Sequence, residues 1–260
     1  MNAQEGCEVV PVIVWLTGWG MADSCWDKVR ERLPDVRHVV PDYSQVSRPD
    51  EFYEVVAQSI QSLSGKELLV VGWSLGGMLA LRLAAEKRVA GLVLIGTTLR
   101  FVRDPAERER GIGAAMLQRM KRQLAKDRER VMAQFVEQMF TGQERGQNCV
   151  DVGIAEGRWS QQALSAGLDY LASEDCRFAP ERLSCPAVVI HGEGDVICPL
   201  GAGKELAGKL AAADFLQLKD CGHAPHLVHP EQVSEAIMRM VKRIAHRTDQ
   251  ASIQQQGDIL

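Results

Sequence analysis

The chain has no apolar run long enough to cross a bilayer, no C-x-x-C pair, no internal repeat and no excess of basic residues. Each absence removes a class of protein. A spanning helix needs about 20 consecutive apolar residues. The first apolar stretch here, residues 9–16, is short, is interrupted by Pro11 and follows no basic segment, so neither a membrane anchor nor a secretory leader is expected. The seven cysteines (Cys7, Cys25, Cys149, Cys176, Cys185, Cys198, Cys221) are odd in number and scattered, which reads as reduced thiols in a cytoplasm rather than a disulfide framework. A formal net charge of -4 supplies no field for nucleic acid or an anionic membrane surface. With 46% hydrophobic and 25% charged residues, 260 residues can bury one sizeable core unaided. A monomer is the expectation.

What is present is an alternation. Residues 68–71 read as a short buried strand and residues 78–85 as a helix, and between them stands Gly72-Trp73-Ser74-Leu75-Gly76-Gly77. A serine in so sharp a turn needs small residues two positions to either side, because a side chain there would collide with the returning backbone. The turn lifts the hydroxyl above the sheet edge and points the N–H groups of the following helix at any negative charge that develops. Further strand-like runs lie at residues 9–16, 37–41, 89–95, 186–191 and 215–218. Helices are expected near residues 24–33, 49–63, 199–210 and 230–246. This order predicts an α/β fold, a mostly parallel sheet of about six strands with helices on both faces. From Leu99 to Arg177 there is helical periodicity and charge but no strand-like run. That segment, 99–177, reads as a helical cap inserted into a core made of 1–98 and 178–246, and 247–260 as a polar, flexible tail.

A serine hydroxyl is a weak nucleophile near neutral pH, so Ser74 needs a base, and the base needs an orienting carboxylate. Asp195 and His223 follow in that order, each in a loop after a strand and therefore at the same sheet edge as Ser74. Glu193 competes with Asp195, which is preferred because it stands just before the next helix. Gly96-Thr97-Thr98 offers no acid. An acyl oxyanion needs two aimed donors. The Leu75 N–H is one by geometry, and the Trp19 N–H, in the turn Thr17-Gly18-Trp19-Gly20, is the candidate for the second. Trp73 is read as a further substrate contact. His223, His226 and His229 are spaced like metal ligands, but Pro225 and Pro230 interrupt them and no Cys or Glu constellation completes a shell. No metal or organic cofactor is expected; His226 and His229 are read as surface or supporting residues, His38 and His191 as structural.

Gly18-Trp19-Gly20, Gly72-Trp73-Ser74-Leu75-Gly76-Gly77, Gly192-Glu193-Gly194-Asp195 and Gly222-His223-Ala224-Pro225 together resemble the α/β-hydrolase superfamily over most of the chain. Within it the chain is most similar to the carboxylesterases of biotin synthesis that demethylate pimeloyl-acyl-carrier-protein methyl ester. The resemblance implies Ser74, Asp195 and His223 as catalytic triad and Trp19 and Leu75 as oxyanion hole. Two departures stand out. Thr17-Gly18 replaces the His-Gly of many relatives, and Asp42-Tyr43-Ser44-Gln45-Val46-Ser47 lacks the usual glycine-rich loop.

Between Arg100 and Arg130 the cap carries ten basic residues against five acidic ones. Such a patch would steer a strongly acidic acyl-carrier protein, with Arg119, Lys121, Arg122 and Arg128 as contacts; the alternative is a solvated helix with i,i+4 pairs. Met116, Met120 and Phe135 would line an acyl channel, or else belong to the cap's buried face. The expected function is a serine carboxylesterase acting on the methyl ester of a carrier-bound diacyl chain. The alternatives are a small-ester, lactone or carbon–carbon bond hydrolase on the same triad, or a binding protein without turnover.

Overall fold

The computed structural model describes residues 10–146 and 158–257. Val9, Cys7, Cys149, positions 147–157 of the expected cap and 258–260 of the expected tail lie outside the described residues. Six parallel strands form one sheet: β1 Val12–Leu16, β2 His38–Val39, β3 Leu68–Trp73, β4 Gly91–Ile95, β5 Ala187–Gly192 and β6 Ala213–Leu218, in the spatial order β2-β1-β3-β4-β5-β6. All five neighbouring pairs are parallel. The four inner strands are buried at every position, which is why they read as unbroken apolar runs. β1 opens at Val12 because Pro11 has no N–H to give to a ladder. The edges are handled differently: β2 is two residues long, and β6 exposes Asp214 and Gln217, both devices that discourage pairing with another chain.

Ten helices occur among the described residues: α1 Asp27–Arg30, α2 Pro49–Ser59, α3 Leu75–Glu86, α4 Ala114–Leu124, α5 Arg128–Gln138, α6 Gly142–Gly146, α7 Gln161–Ser173, α8 Leu200–Lys209, α9 Pro225–Val228 and α10 Pro230–Gly257. The register shows that they cover both faces of the sheet. Leu69 is level with Gly91, and Gly72 with Leu94, so Gly91 and Gly72 point to opposite faces of the pleat. A Cβ on Gly91 would meet Met240 and Ile244 of α10, whereas one on Gly72 would meet the start of α3.

Two expected helices differ in extent. The first begins as a 3-10 turn, Asp23–Trp26, before the four residues of α1. The last runs past His246 to Gly257, since no glycine or proline interrupts it after Pro230. Between β4 and β5 the described elements are helical, apart from one isolated bridge, Val102 to Ile112. Leu117, Leu124, Val131 and Met132 form the buried side of α4 and α5. No helix among the described residues is long and apolar enough to cross a membrane.

Because β2 and β3 lie on opposite sides of β1, the chain changes direction there. Loops after β1 and β3 diverge at such a point and leave a crevice at the carboxyl edge of the sheet. Thr17–Gly20 and Ser74 stand on its two sides.

Candidate active site

Ser74 caps the N-terminus of α3 with φ 56° and ψ −118°, a backbone region that costs a non-glycine residue about 1–3 kcal/mol. Its surroundings hold it there. The Ser74 N–H donates to Ile95 O at 2.9 Å, and Ser74 O accepts from Thr97 Oγ1 at 2.8 Å and from the Gly77 N–H at 2.9 Å. A Cβ on Gly72 would lie 2.4 Å from Gly76 O, and one on Gly76 would lie 2.1 Å from Leu16 O and 2.7 Å from Thr17 O. The two glycines let α3 start against the end of β1. Leu75, the first residue of α3, has an N–H with no intrahelical acceptor and is thereby set beside the turn that carries Trp19.

That turn is anchored by a pair of residues that local sequence gives no reason to connect. Thr17 Oγ1 donates to the Tyr43 hydroxyl at 2.9 Å, and the Tyr43 hydroxyl donates to Thr17 O at 2.6 Å. Both residues are buried, and burial pushes the Tyr43 phenol well above its ordinary range, so it stays protonated and able to donate.

Asp195 and His223 are in direct contact. Asp195 Oδ2 lies 2.7 Å from His223 Nδ1, and Asp195 Oδ1 accepts the N–H groups of Ile197 (2.9 Å) and Cys198 (2.8 Å). His191 Nε2 sits 2.7 Å from Cys198 O and 3.5 Å from Asp195 Oδ2, so this histidine, in β5, also braces the carboxylate loop. Glu193, the competing acid, is exposed and bonds Gln217 instead. With the Nδ1 proton directed at a carboxylate, His223 Nε2 is left as the lone-pair nitrogen. It is buried and makes no hydrogen bond among the described residues, to Ser74 included. A candidate base and nucleophile in an unliganded site are often set this loosely.

Four sequence expectations need correction. Trp73 does not face a substrate space: it is fully buried, its indole donates to His223 O at 2.8 Å, and its ring centroid lies 5.6 Å from that of His223. Trp73 thus holds the loop that carries His223. His226 is no surface residue, since it is fully buried between Trp26 (4.5 Å) and Trp73 (4.4 Å) with neither nitrogen hydrogen-bonded; burial, then the nearby His223, lowers its pKa to about 3. Arg103 leaves the basic patch, being buried against Glu107 and Glu205. A Cys and a Glu do join His229, because Glu144, Cys221 and His229 have ligand-type atoms within 4.8 Å of one another. The Glu144 oxygens there are engaged by the N–H groups of Thr141 and Gly222, and burial raises the Cys221 thiol well above its ordinary range.

Met116, Met120, Phe135, Arg119, Ile197 and Trp19 contribute to a cavity of about 350 Å³. The Trp19 indole donates to Leu164 O at 2.8 Å and meets Phe135 edge-on at 5.0 Å, so the turn of residues 17–20 and the cavity share this side chain. Arg119 and Arg122 are exposed, Arg128 is half-buried, and none of the three is in an ion pair among the described residues. Lys121 is paired with Asp169 at 2.5 Å. The five cysteines Cys25, Cys176, Cys185, Cys198 and Cys221 are free.

Comparison with known proteins follows the same lines. A pimeloyl-[acyl-carrier protein] methyl ester esterase of Aromatoleum aromaticum is 32% identical over 246 residues, covering 89% of this chain and 98% of the relative. One of the same name from Nitrosomonas europaea is 34% identical over 241 residues, covering 85% and 92%. An esterase from Exiguobacterium antarcticum superimposes with a TM-score of 0.76 over 89% of this chain and 92% of its own, at 18% identity, a likeness of fold. The profile described as the alpha/beta hydrolase family matches residues 13–236. That match runs from β1 into α10, and the chain belongs to the alpha/beta hydrolase family.

Proposed function

We propose that the chain is a serine carboxylesterase of the cytoplasm that hydrolyses the methyl ester of pimeloyl-acyl-carrier protein. In this reading Ser74 Oγ attacks the ester carbonyl while His223 Nε2 takes its proton, and Asp195 holds the imidazole and stabilises its charged form. The N–H groups of Trp19 and Leu75 receive the oxyanion. Methanol leaves with the proton returned by His223, and water, activated by the same imidazole, releases the acid from Ser74. No step calls for a metal or an organic cofactor.

The observation that carries the substrate is the pair of relatives of that name, about a third identical along nearly their whole length. The cavity beside Trp19, whose apolar lining includes Met116, Met120 and Phe135, suits an acyl chain, and Arg119 and Arg122, in no ion pair among the described residues, suit an acidic carrier.

The test is methanol release from methyl pimeloyl-carrier protein. Ser74→Ala is expected to abolish both release and labelling by a fluorophosphonate. The double change Arg119→Glu, Arg122→Glu is expected to lower kcat/KM on the carrier-bound ester at least about tenfold more than on a free short ester, the size of a lost steering field. Free esters cleaved far better than the carrier-bound one, with equal effects of the reversals on both, would remove the carrier from the proposal. A native protein that fluorophosphonate does not label would remove the esterase.

A further inference from the structure

Glu144 is a buried carboxylate, 3% exposed, outside the proposed triad. Its Oε2 accepts the Thr141 N–H at 2.6 Å while Thr141 Oγ1 accepts the Glu144 N–H at 3.2 Å, the reciprocal pairing that starts a helix, here α6. Both its oxygens also lie 3.1 Å from the Gly222 N–H, and Gly222 directly precedes His223. The rest of this cap segment grips the same loop. The His223 N–H donates to Met139 O at 2.7 Å, and Thr141 Oγ1 reaches Asp220 O at 3.4 Å. A Cβ on Gly222 would come within 2.2 Å of Met139 O, so cap and loop meet backbone to backbone.

A helix start needs no buried charge; a hydroxyl and water serve at most surfaces. Taking a carboxylate out of water is costly unless several strong donors face it. Here those donors belong to α6 and to the backbone of the loop that carries the base. We infer that Glu144 is a positioning residue for His223: through the Gly222 N–H it fixes the loop against the cap, as Trp73 fixes it from the sheet. The alignment of the imidazole with Ser74 then depends on how residues 139–144 of the cap are seated. The inference rests on the reading of His223 as the base.

The test compares Glu144→Ala, Glu144→Asp, Glu144→Gln and Thr141→Ala with the native protein. The readouts are steady-state hydrolysis of p-nitrophenyl butyrate, the rate of fluorophosphonate labelling and thermal unfolding. A displacement of about 1 Å in a catalytic group costs up to about a hundredfold. Glu144→Ala is therefore expected to lose about ten- to a hundredfold in kcat with KM within about twofold, and to label more slowly in proportion. Glu144→Gln, which keeps an acceptor at the same reach, should recover most of this. Thr141→Ala removes the hydroxyl cap of α6 and the 3.4 Å contact with Asp220 O but leaves the Glu144–Gly222 bond, and should lose less than about threefold. Native kcat in folded Glu144→Ala overturns the inference, as do equal losses in Glu144→Ala and Thr141→Ala. Should Glu144→Ala fail to fold, Glu144→Asp decides. Its carboxylate falls short of Gly222, so a loss of about tenfold in kcat is expected and native kcat overturns the inference. A His223→Ala protein that still hydrolyses and labels at native rates would instead remove the base assignment, whatever Glu144 does.

Discussion

Thr17 and Tyr43 lie in the two segments where the sequence departs from the resemblance, and they are hydrogen-bonded to each other at 2.9 and 2.6 Å. The phenol of Tyr43 reaches in from the next loop and holds the backbone of Thr17. Tyr43→Phe keeps the ring, which packs against Phe52 and Trp159 at 5.5 Å, and removes only the hydroxyl. Thr17 O and Thr17 Oγ1 then stay buried without that partner, at a cost of about 1–3 kcal/mol, to be read as a lower midpoint in urea unfolding. Trp19 lies two residues on, so kcat should fall further than KM rises. A variant with the native midpoint and native kcat would show that the pair anchors nothing.

At the level of elements, the turn that carries Ser74 depends on two backbones touching. Gly76→Ala would place a methyl 2.1 Å from Leu16 O, a contact that only separation of α3 from β1 relieves. The expected result is a loss of more than about 3 kcal/mol, beyond the usual range for one substitution, or no folded protein, measured by circular dichroism and urea titration. Native stability would mean that α3 can move away freely.

The elements themselves were largely legible in the sequence. Inner strands buried on both faces must be apolar throughout, so residues 68–71 and 187–190 announce themselves, and a serine between glycines after such a strand has few other uses. The contact of Asp195 with His223 was in reach of the sequence too, since each stands in a loop after a strand at the same sheet edge. What stayed hidden are pairings between distant segments. Glu144 with Gly222, Tyr43 with Thr17 and Trp73 with His223 are joined only when the sheet has formed, and no local pattern marks a glutamate or a tyrosine as buried. The direction of Trp73 and the depth of His226 were misread for the same reason: neighbours 150 residues away along the chain, such as His223 to Trp73, decide them.

For the whole molecule, the buried histidines set a lower limit to the pH range of stability. His226 in the folded state has a pKa of about 3 against an ordinary 6.5. Above 6.5 it is neutral in both states and stability does not depend on it. As pH falls from there towards 3, the unfolded chain takes up a proton that the folded chain refuses, and stability drops by about 1.4 kcal/mol per pH unit from this group. His191, also lowered by burial, acts in the same direction. Urea midpoints should therefore decline between about pH 6.5 and pH 4. His226→Phe, which fills the space between the two tryptophans without nitrogens, should flatten that decline while leaving neutral-pH stability at least equal. An unchanged slope would show that His226 is solvated.

The helical segment read as a cap lies in the chain between β4 and β5, and translation follows the chain. A ribosome therefore releases the Ser74 turn and that segment before it makes the strands that bring Asp195 and His223. Those strands then add to the sheet outward from β4, one beyond the other. On the proposed triad, a copy cut short before β6 holds its alcohol in a strained turn with nothing beside it to take a proton. Unfinished copies would then be chemically silent, and the last strand to be synthesised would arm the molecule.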